Sequence, residues 1–305
     1  MTAESKNWLQ LVFDLKDSVI PVIKAQVILS MIFAVGITLI YQQGFTAVHQ
    51  PALAGIVPGI VLGLLLVFRT NTAYDRFWEG RKVAGGIVIT SLNLARKLAI
   101  NVPAFNADET QEKVGNLRFI YVFYVAVISH LRREPINEKL KQIISAQHYA
   151  ELAATSNMPL AVVQWISDYV YKLFIYQHID SRQLEAYNTL LDQLVDSLAC
   201  CERILTTPMP RAYSIHLKHL LFLYCFALPF QLVKDLQFWT IPTVGIIAFA
   251  LFGIEAIGLE IENPFGYDAN DIPLETLANK VENYIEGLIN SHKTDTIESA
   301  KIDVE

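Results

Sequence analysis

The chain has 305 residues, of which 53% are hydrophobic and 18% are charged, and its mean hydropathy is +0.34. This value is high for a soluble domain and favours a protein with a membrane-embedded part. The formal net charge of −6 argues against the basic surface that nucleic-acid-binding domains carry, so that class of function is set aside.

Four uncharged apolar stretches define the layout of the chain. Residues 25–41 and 52–68 each run for 17 positions without a charge, about the minimum that crosses roughly 30 Å of hydrocarbon. They predict a transmembrane hairpin. Residues 220–233 and 238–254 predict a second hairpin, although the first of these is shorter and contains Pro229. Buried helices of a soluble protein are the alternative for any single stretch, and four stretches in one chain argue against it.

The placement of lysine and arginine predicts the orientation. The connection at residues 42–51 contains neither residue, whereas Arg69, Arg76, Arg81 and Lys82 follow the second stretch. Because positively charged residues are retained on the cytoplasmic side, both termini are predicted to be cytoplasmic. The expected location is the plasma (inner) membrane.

The region between the hairpins carries helical periodicity with charged faces and no strand alternation of note. It predicts a cytoplasmic helical domain, in which the apolar segment 119–129 is a core helix rather than a fifth span. The fold class is therefore all-α membrane protein. The predicted organisation is an N-terminal segment at 1–20, a first hairpin with an inner extension at 21–95, the helical domain at 96–219, a second hairpin at 220–260 and a C-terminal segment at 261–305.

The second span has the most informative pattern. Bulky apolar residues recur every four positions along one face, and glycines recur with the same spacing on a neighbouring face; these are Ile60, Leu64 and Phe68, and Gly55, Gly59 and Gly63. If several copies of this helix surround an axis, the bulky residues form apolar rings that can gate by dewetting. Packing against another helix of the same subunit is the other interpretation, and periodicity alone leaves both open.

Three segments resemble the bestrophin family, and in particular its bacterial branch. They are FRTNTAYDRFWEGRK at 68–82, CERILTTPMPRAY at 201–213 and IENPFGYDANDIPLE at 261–275. The resemblance implies a homopentamer in the lipid bilayer around a central pore, with the second helix as its neck and a cytosolic constriction at the residue before the second proline. By position, the neck would be Ile60, Leu64 and Phe68, and the aperture would be Met209.

An ion channel is the function that this resemblance implies. Bacterial relatives are associated with monovalent cations such as sodium and potassium, and five copies at −6 each would carry −30, which also favours cations. An anion (chloride) channel of the same fold, as in animal members, is the alternative. Secondary transport, with Glu255 as a coupling carboxylate, and a membrane scaffold are alternatives of another class.

The third segment is similar to the stretch that clasps calcium in animal bestrophins. The resemblance implies Glu260, Asn263, Asp268 and Asp271 as ligands, and carboxylates with backbone carbonyls could supply the oxygens that calcium requires. The acidic run is interrupted at 269–270, however, so helix capping and turn chemistry are favoured. We therefore expect no cofactor, with calcium as the open possibility.

Other candidate sites are weaker. His216 and His219 share one helix face but lack a third ligand, so they are expected to be surface residues. The sequence contains no nucleophile with its base, no phosphate-binding glycine loop and no H-E-x-x-H motif. The protein is not expected to be an enzyme.

Overall fold

The structure, a computed structural model, describes residues 18–51, 54–103 and 106–302. Helix makes up 83% of it, and the described residues contain no strand, which confirms the all-α prediction. Residues 1–17 of the predicted N-terminal segment, residues 52–53 of the second predicted span and residues 303–305 of the tail lie outside the described part. Within that part the α-helices, numbered α1 to α9, are Ile20–Gln42, Ile56–Asn101, Ala107–Arg132, Ala146–Ala154, Met158–Ile175, Ser181–Thr206, Arg211–Leu236, Thr240–Glu260 and Leu274–Ile302.

Four helical stretches in the described residues are long and apolar enough to cross a membrane: α1, α2, α3 and the stretch Arg211–Glu260, which contains α7 and α8. Only 22–39% of the apolar window is buried in three of them, whereas 72% is buried in α3. An apolar helix that is mostly exposed within its own chain needs lipid or another chain around it. We therefore assign the four spans to α1, the first part of α2, α7 and α8. Segment 119–129 lies in α3, whose apolar window is mostly inside the protein, as predicted.

The chain divides into two compact units. The membrane unit contains the described residues up to Phe77, Pro208–Asn263 and Asp268–Asn270. The helical unit contains Trp78–Thr207, Pro264–Tyr267 and the described residues from Asp271 onwards. Helix α2 contributes residues to both units.

Helix pairing organises the membrane unit. Helix α1 packs along α8, and α2 packs on α7 through a cluster of fully buried leucines, Leu62, Leu66, Leu217 and Leu221. The hydroxyls of Ser30 and Thr38 donate to carbonyls four residues earlier in α1, at 2.9 and 2.7 Å. These bonds satisfy polar groups where lipid offers no partner.

Prolines lie at the beginnings of α2 and α7. Helix α2 begins at Ile56, four residues later than the predicted span, and Pro58 lies in its first turn. Proline is tolerated there because the first N–H groups of a helix have no intrahelical acceptor. Helix α7 begins directly after Pro210, nine residues before the predicted span. The prediction missed its first turns because they contain polar residues, and the spans were predicted from uncharged apolar runs.

Side-chain caps fix the helix ends of the helical unit. Asn106 accepts from the N–H of Glu109 at 2.8 Å at the beginning of α3. Asp180 and Gln183 form a reciprocal capping box at the beginning of α6. The apolar residues of α3 pack against α5 and α9, and Phe123 and Tyr124 are buried in this core. Burial of such large apolar rings stabilises this core.

Candidate functional site: an apolar helix face and a buried ion cluster

The stripe predicted in the second span lies on an exposed face of α2. In the single chain, Ile60, Leu64 and Phe68 are 65%, 53% and 55% exposed. Leu62 and Leu66, which alternate with them along the helix, are each only 2% exposed and pack on α7. Among the described residues, the stripe is thus mostly exposed, which favours the pore interpretation over packing against another helix of the same subunit.

The residue that follows the stripe is a buried arginine. The side chain of Arg69 is 0% exposed, and a Cβ added to Gly258 of α8 would lie 3.5 Å from its Nε. Its Nη1 lies 3.9 Å from Oε1 of Glu255, and its Nη2 lies 3.5 Å from Oε2 of Glu262. Among the described residues, no hydrogen bond reaches its three nitrogens. These ion pairs therefore balance its charge.

Met209, the predicted aperture residue, is half-buried in the segment that precedes α7. Its N–H donates to Oε1 of Glu262 at 3.0 Å. The backbone carbonyl of Glu262 accepts from Nε of Arg76 at 3.2 Å. In the first turn of α7, the hydroxyl of Tyr213 donates to the carbonyl of Leu65 at 2.6 Å. Side chains thus connect the segments on both sides of the second hairpin to the inner part of α2.

The predicted calcium ligands are distributed over both units. Glu260, Asn263 and Asp268 belong to the membrane unit, and Asp271 belongs to the helical unit. The carboxylate of Glu260 accepts from the side-chain amide of Asn270 at 2.7 Å. Within the described ranges, no group of three or more His, Cys, Asp or Glu side chains could hold a metal. The expectation of no cofactor, with calcium as the open possibility, stays a prediction.

An arginine that sequence reasoning missed organises the loop of the helical unit at 264–267. Arg132, at the end of α3, donates from Nε to the carbonyl of Phe265 at 3.0 Å and from Nη2 to that of Gly266 at 2.9 Å. Its Nη1 also pairs with Glu275 at the beginning of α9. The hydrogen bond from Arg132 holds the pKa of the Glu275 carboxyl below its usual value. No local pattern could reveal these contacts, because the partners lie more than 130 residues away in sequence.

The remaining candidates are the two histidines of α7 and Glu255. His216 and His219 are exposed on α7, as predicted. Glu255, the candidate coupling carboxylate, is largely buried beside Arg69, where it serves as a counter-charge.

The chain is similar to bacterial and fungal bestrophin proteins over most of its length. The model of the bacterial and fungal bestrophin proteins matches residues 1–287. A voltage-dependent anion channel-forming protein of a Nostoc species is 51% identical over 288 residues, covering 94% of each chain, and one of a Synechocystis species is 46% identical over 282 residues, covering 92% of each. The crystal structure of a bestrophin homologue from Klebsiella pneumoniae matches 88% of this chain and 98% of its own, with a TM-score of 0.80 and 25% identity.

This protein is an α-helical membrane channel. It belongs to the bacterial and fungal bestrophin family, as the family match over residues 1–287 shows, and it is an ion channel of the bestrophin fold. The resemblance inferred from the three segments is confirmed.

Proposed function

We propose that five copies of this chain form an anion channel in the plasma membrane, with both termini in the cytoplasm. The observation that carries the proposal is the exposed apolar face of α2, where Ile60, Leu64 and Phe68 are each more than half exposed while the opposite face is buried. The absence of lysine and arginine from residues 42–51, against their abundance after the second span, supports the orientation.

Conduction depends on two constrictions in series. Five copies of α2 around one axis place Ile60, Leu64 and Phe68 in successive apolar rings that form the neck. Water leaves a narrow apolar ring readily, so the neck conducts only when it is wide enough to stay wet. Met209 forms the second constriction, the aperture, on the cytoplasmic side.

Selectivity for anions is inferred from the relatives. The proteins that are 51% and 46% identical to this chain over more than nine-tenths of its length are named anion channel-forming proteins. This favours the anion alternative over the expected conduction of sodium and potassium. The net charge of −6 keeps cation conduction as the second candidate, but overall charge says little about the few groups that face a pore.

A transporter or a scaffold fits the structure less well. A coupling carboxylate must exchange protons or ions with solution during the cycle. Glu255 is instead held in the buried cluster with Arg69. A scaffold does not require the exposed apolar face of α2, whereas a pore lined by this helix does.

Flux from liposomes separates these functions. Purified protein in chloride-loaded liposomes is expected to release chloride down its gradient at a rate that does not depend on a proton gradient. Strict coupling to the proton gradient would support the transporter, and no flux of chloride or potassium would support the scaffold.

A further inference from the structure

The carboxylate of Glu262 uses its two oxygens for two different partners. Oε1 accepts from the N–H of Met209 at 3.0 Å, and Oε2 lies 3.5 Å from Nη2 of Arg69. Arg69 follows Phe68, the innermost residue of the proposed neck, and Met209 is the proposed aperture. One side chain thus connects the residue beside the neck to the backbone of the aperture.

Burial makes the contact between Arg69 and Glu262 costly to lose. Arg69 is 0% exposed, and none of its nitrogens forms a hydrogen bond within the described part of the chain. Its charge therefore depends on Glu262 and on Glu255, at 3.9 Å. Removing one partner of a buried ion pair leaves an uncompensated charge, which is more unfavourable than losing a surface pair.

The position of Arg69 is itself fixed by the helix. Helix α2 continues without interruption on both sides of this residue, so the side chain starts from a rigid backbone. Contacts one turn before and two turns after it, from Tyr213 to Leu65 and from Arg76 to Glu262, attach the same flanking segments to α2. Arg69 lies between these two positions on α2, and its contact reaches the carboxylate that holds Met209.

We propose that Arg69, acting through Glu262, is the positioning residue that sets the aperture at Met209 relative to the second helix. The role of Met209 as the aperture rests on the proposed function. The hydrogen bond from Met209 to Glu262 and the ion pair of Glu262 with Arg69 do not depend on the proposed function, so they can be tested without measuring ion flux.

Thiol reactivity at Met209 reports the local position directly. The probe is a charged methanethiosulfonate reagent applied to purified, assembled Met209→Cys protein in detergent, with the reaction followed by mass spectrometry. Native Cys200 is half-exposed and serves as an internal reference. Cys201 and Cys225 are buried, and burial raises the pKa of the Cys201 thiol to about 12, so neither competes at neutral pH.

We expect Arg69→Gln and Glu262→Gln each to change the reaction rate at position 209 by about threefold or more, the scale of coupling between residues in one network. In the Glu262→Gln protein, the further substitution Arg69→Gln should not change the reaction rate at position 209, because the ion pair between the two residues is already lost. Arg69→Lys should retain most of the native rate. Glu255→Gln is the matched control: it removes the other carboxylate beside Arg69, and it should leave the rate unchanged.

Two results would overturn the proposal. One is an assembled Arg69→Gln protein with the native rate at position 209. The other is an equal change of that rate in the Glu255→Gln protein, which would indicate that any loss of charge around Arg69 alters position 209 and that the contact through Glu262 is not specific. If Arg69→Gln does not assemble, a native rate at position 209 in the Glu262→Gln protein would overturn the proposal in the same way, because the effect of Arg69 must pass through Glu262. Absence of both chloride and potassium flux from the wild-type protein would refute the channel proposal and leave these rates interpretable.

Discussion

The guanidinium of Arg132 lies over the ring of Tyr267, with its central carbon 3.8 Å from the ring centroid. The same group donates to the carbonyls of Phe265 and Gly266, and its side chain is only 6% exposed. A planar fork can satisfy two carbonyls and stack on a ring at the same time, which an ammonium group cannot. Arg132 therefore holds the loop at 264–267 within the helical unit.

Replacing Arg132 by lysine should destabilise the helical unit although the charge is kept. We expect the free energy of unfolding to fall by about 2 kcal/mol, because hydrogen bonds from a charged donor are lost in a nearly buried site. Thermal unfolding of the purified protein measures the effect. Arg133→Lys is the matched control, since the adjacent side chain is exposed. Equal midpoints for the two variants would contradict the role of Arg132.

The pair of Arg132 and Glu275 predicts a dependence of stability on pH. The pKa of Glu275 is lowered from about 4.5 in the folded protein, chiefly by the hydrogen bond from Arg132. Its contribution is therefore complete above about pH 4.5 and is lost as the pH falls through the lower folded-state value. The effect should be small, because the carboxylate is 58% exposed. Glu275→Gln should lose less stability than the wild type between neutral pH and the acidic range, and parallel curves of melting temperature against pH would exclude this contribution.

Two glycines of α2 should respond to alanine in opposite directions. A Cβ at Gly80 would lie 2.9 Å from Cγ of Pro264 and 3.2 Å from Cζ of Phe265, whereas nothing lies within 4 Å of one at Gly86. We expect Gly80→Ala to cost about 1–3 kcal/mol, because Phe265 is buried and cannot move freely. Gly86→Ala should gain up to about 1 kcal/mol from helix propensity. Thermal unfolding compares them, and a Gly80→Ala protein as stable as Gly86→Ala would show that the loop does not pack as described.

Widening the neck tests the pore assignment. Replacing Ile60, Leu64 and Phe68 together by alanine removes bulk from the proposed apolar rings, so single-channel conductance should rise as the neck becomes wider and wetter. Leu66→Ala is the control on the buried face of the same helix, where we expect lower stability and no comparable rise in conductance. If the triple substitution left the conductance unchanged, these residues would not line the pore.

The membrane spans could be predicted from sequence because each is a local property of composition. Runs without charge located α1, α2, α7 and α8. Helix α7 extends beyond its apolar run into residues that are helical but polar, whereas α2 begins four residues after the beginning of its run. The stripe Ile60, Leu64 and Phe68 was visible for the same reason, since residues four apart share one helix face. The exposure of this stripe could not be predicted, because periodicity does not indicate which residues pack against a helix face.

The contacts of Glu262 and Arg132 could not be predicted in this way. Glu262 touches a backbone group 53 residues before it, and Arg132 touches carbonyls 133 and 134 residues after it. Such contacts depend on how the helices pack in three dimensions, and no short-range pattern of charge or hydrophobicity encodes them. An arginine directly after an apolar span, as at position 69, is a feature of the sequence that could have pointed to a partner carboxylate.

The reversal potential of purified protein in a planar bilayer under a potassium chloride gradient tests the central claim most directly. An anion channel predicts reversal close to the equilibrium potential of chloride, with single-channel steps that show a pore. Reversal close to the equilibrium potential of potassium would contradict anion selectivity and establish the cation channel instead.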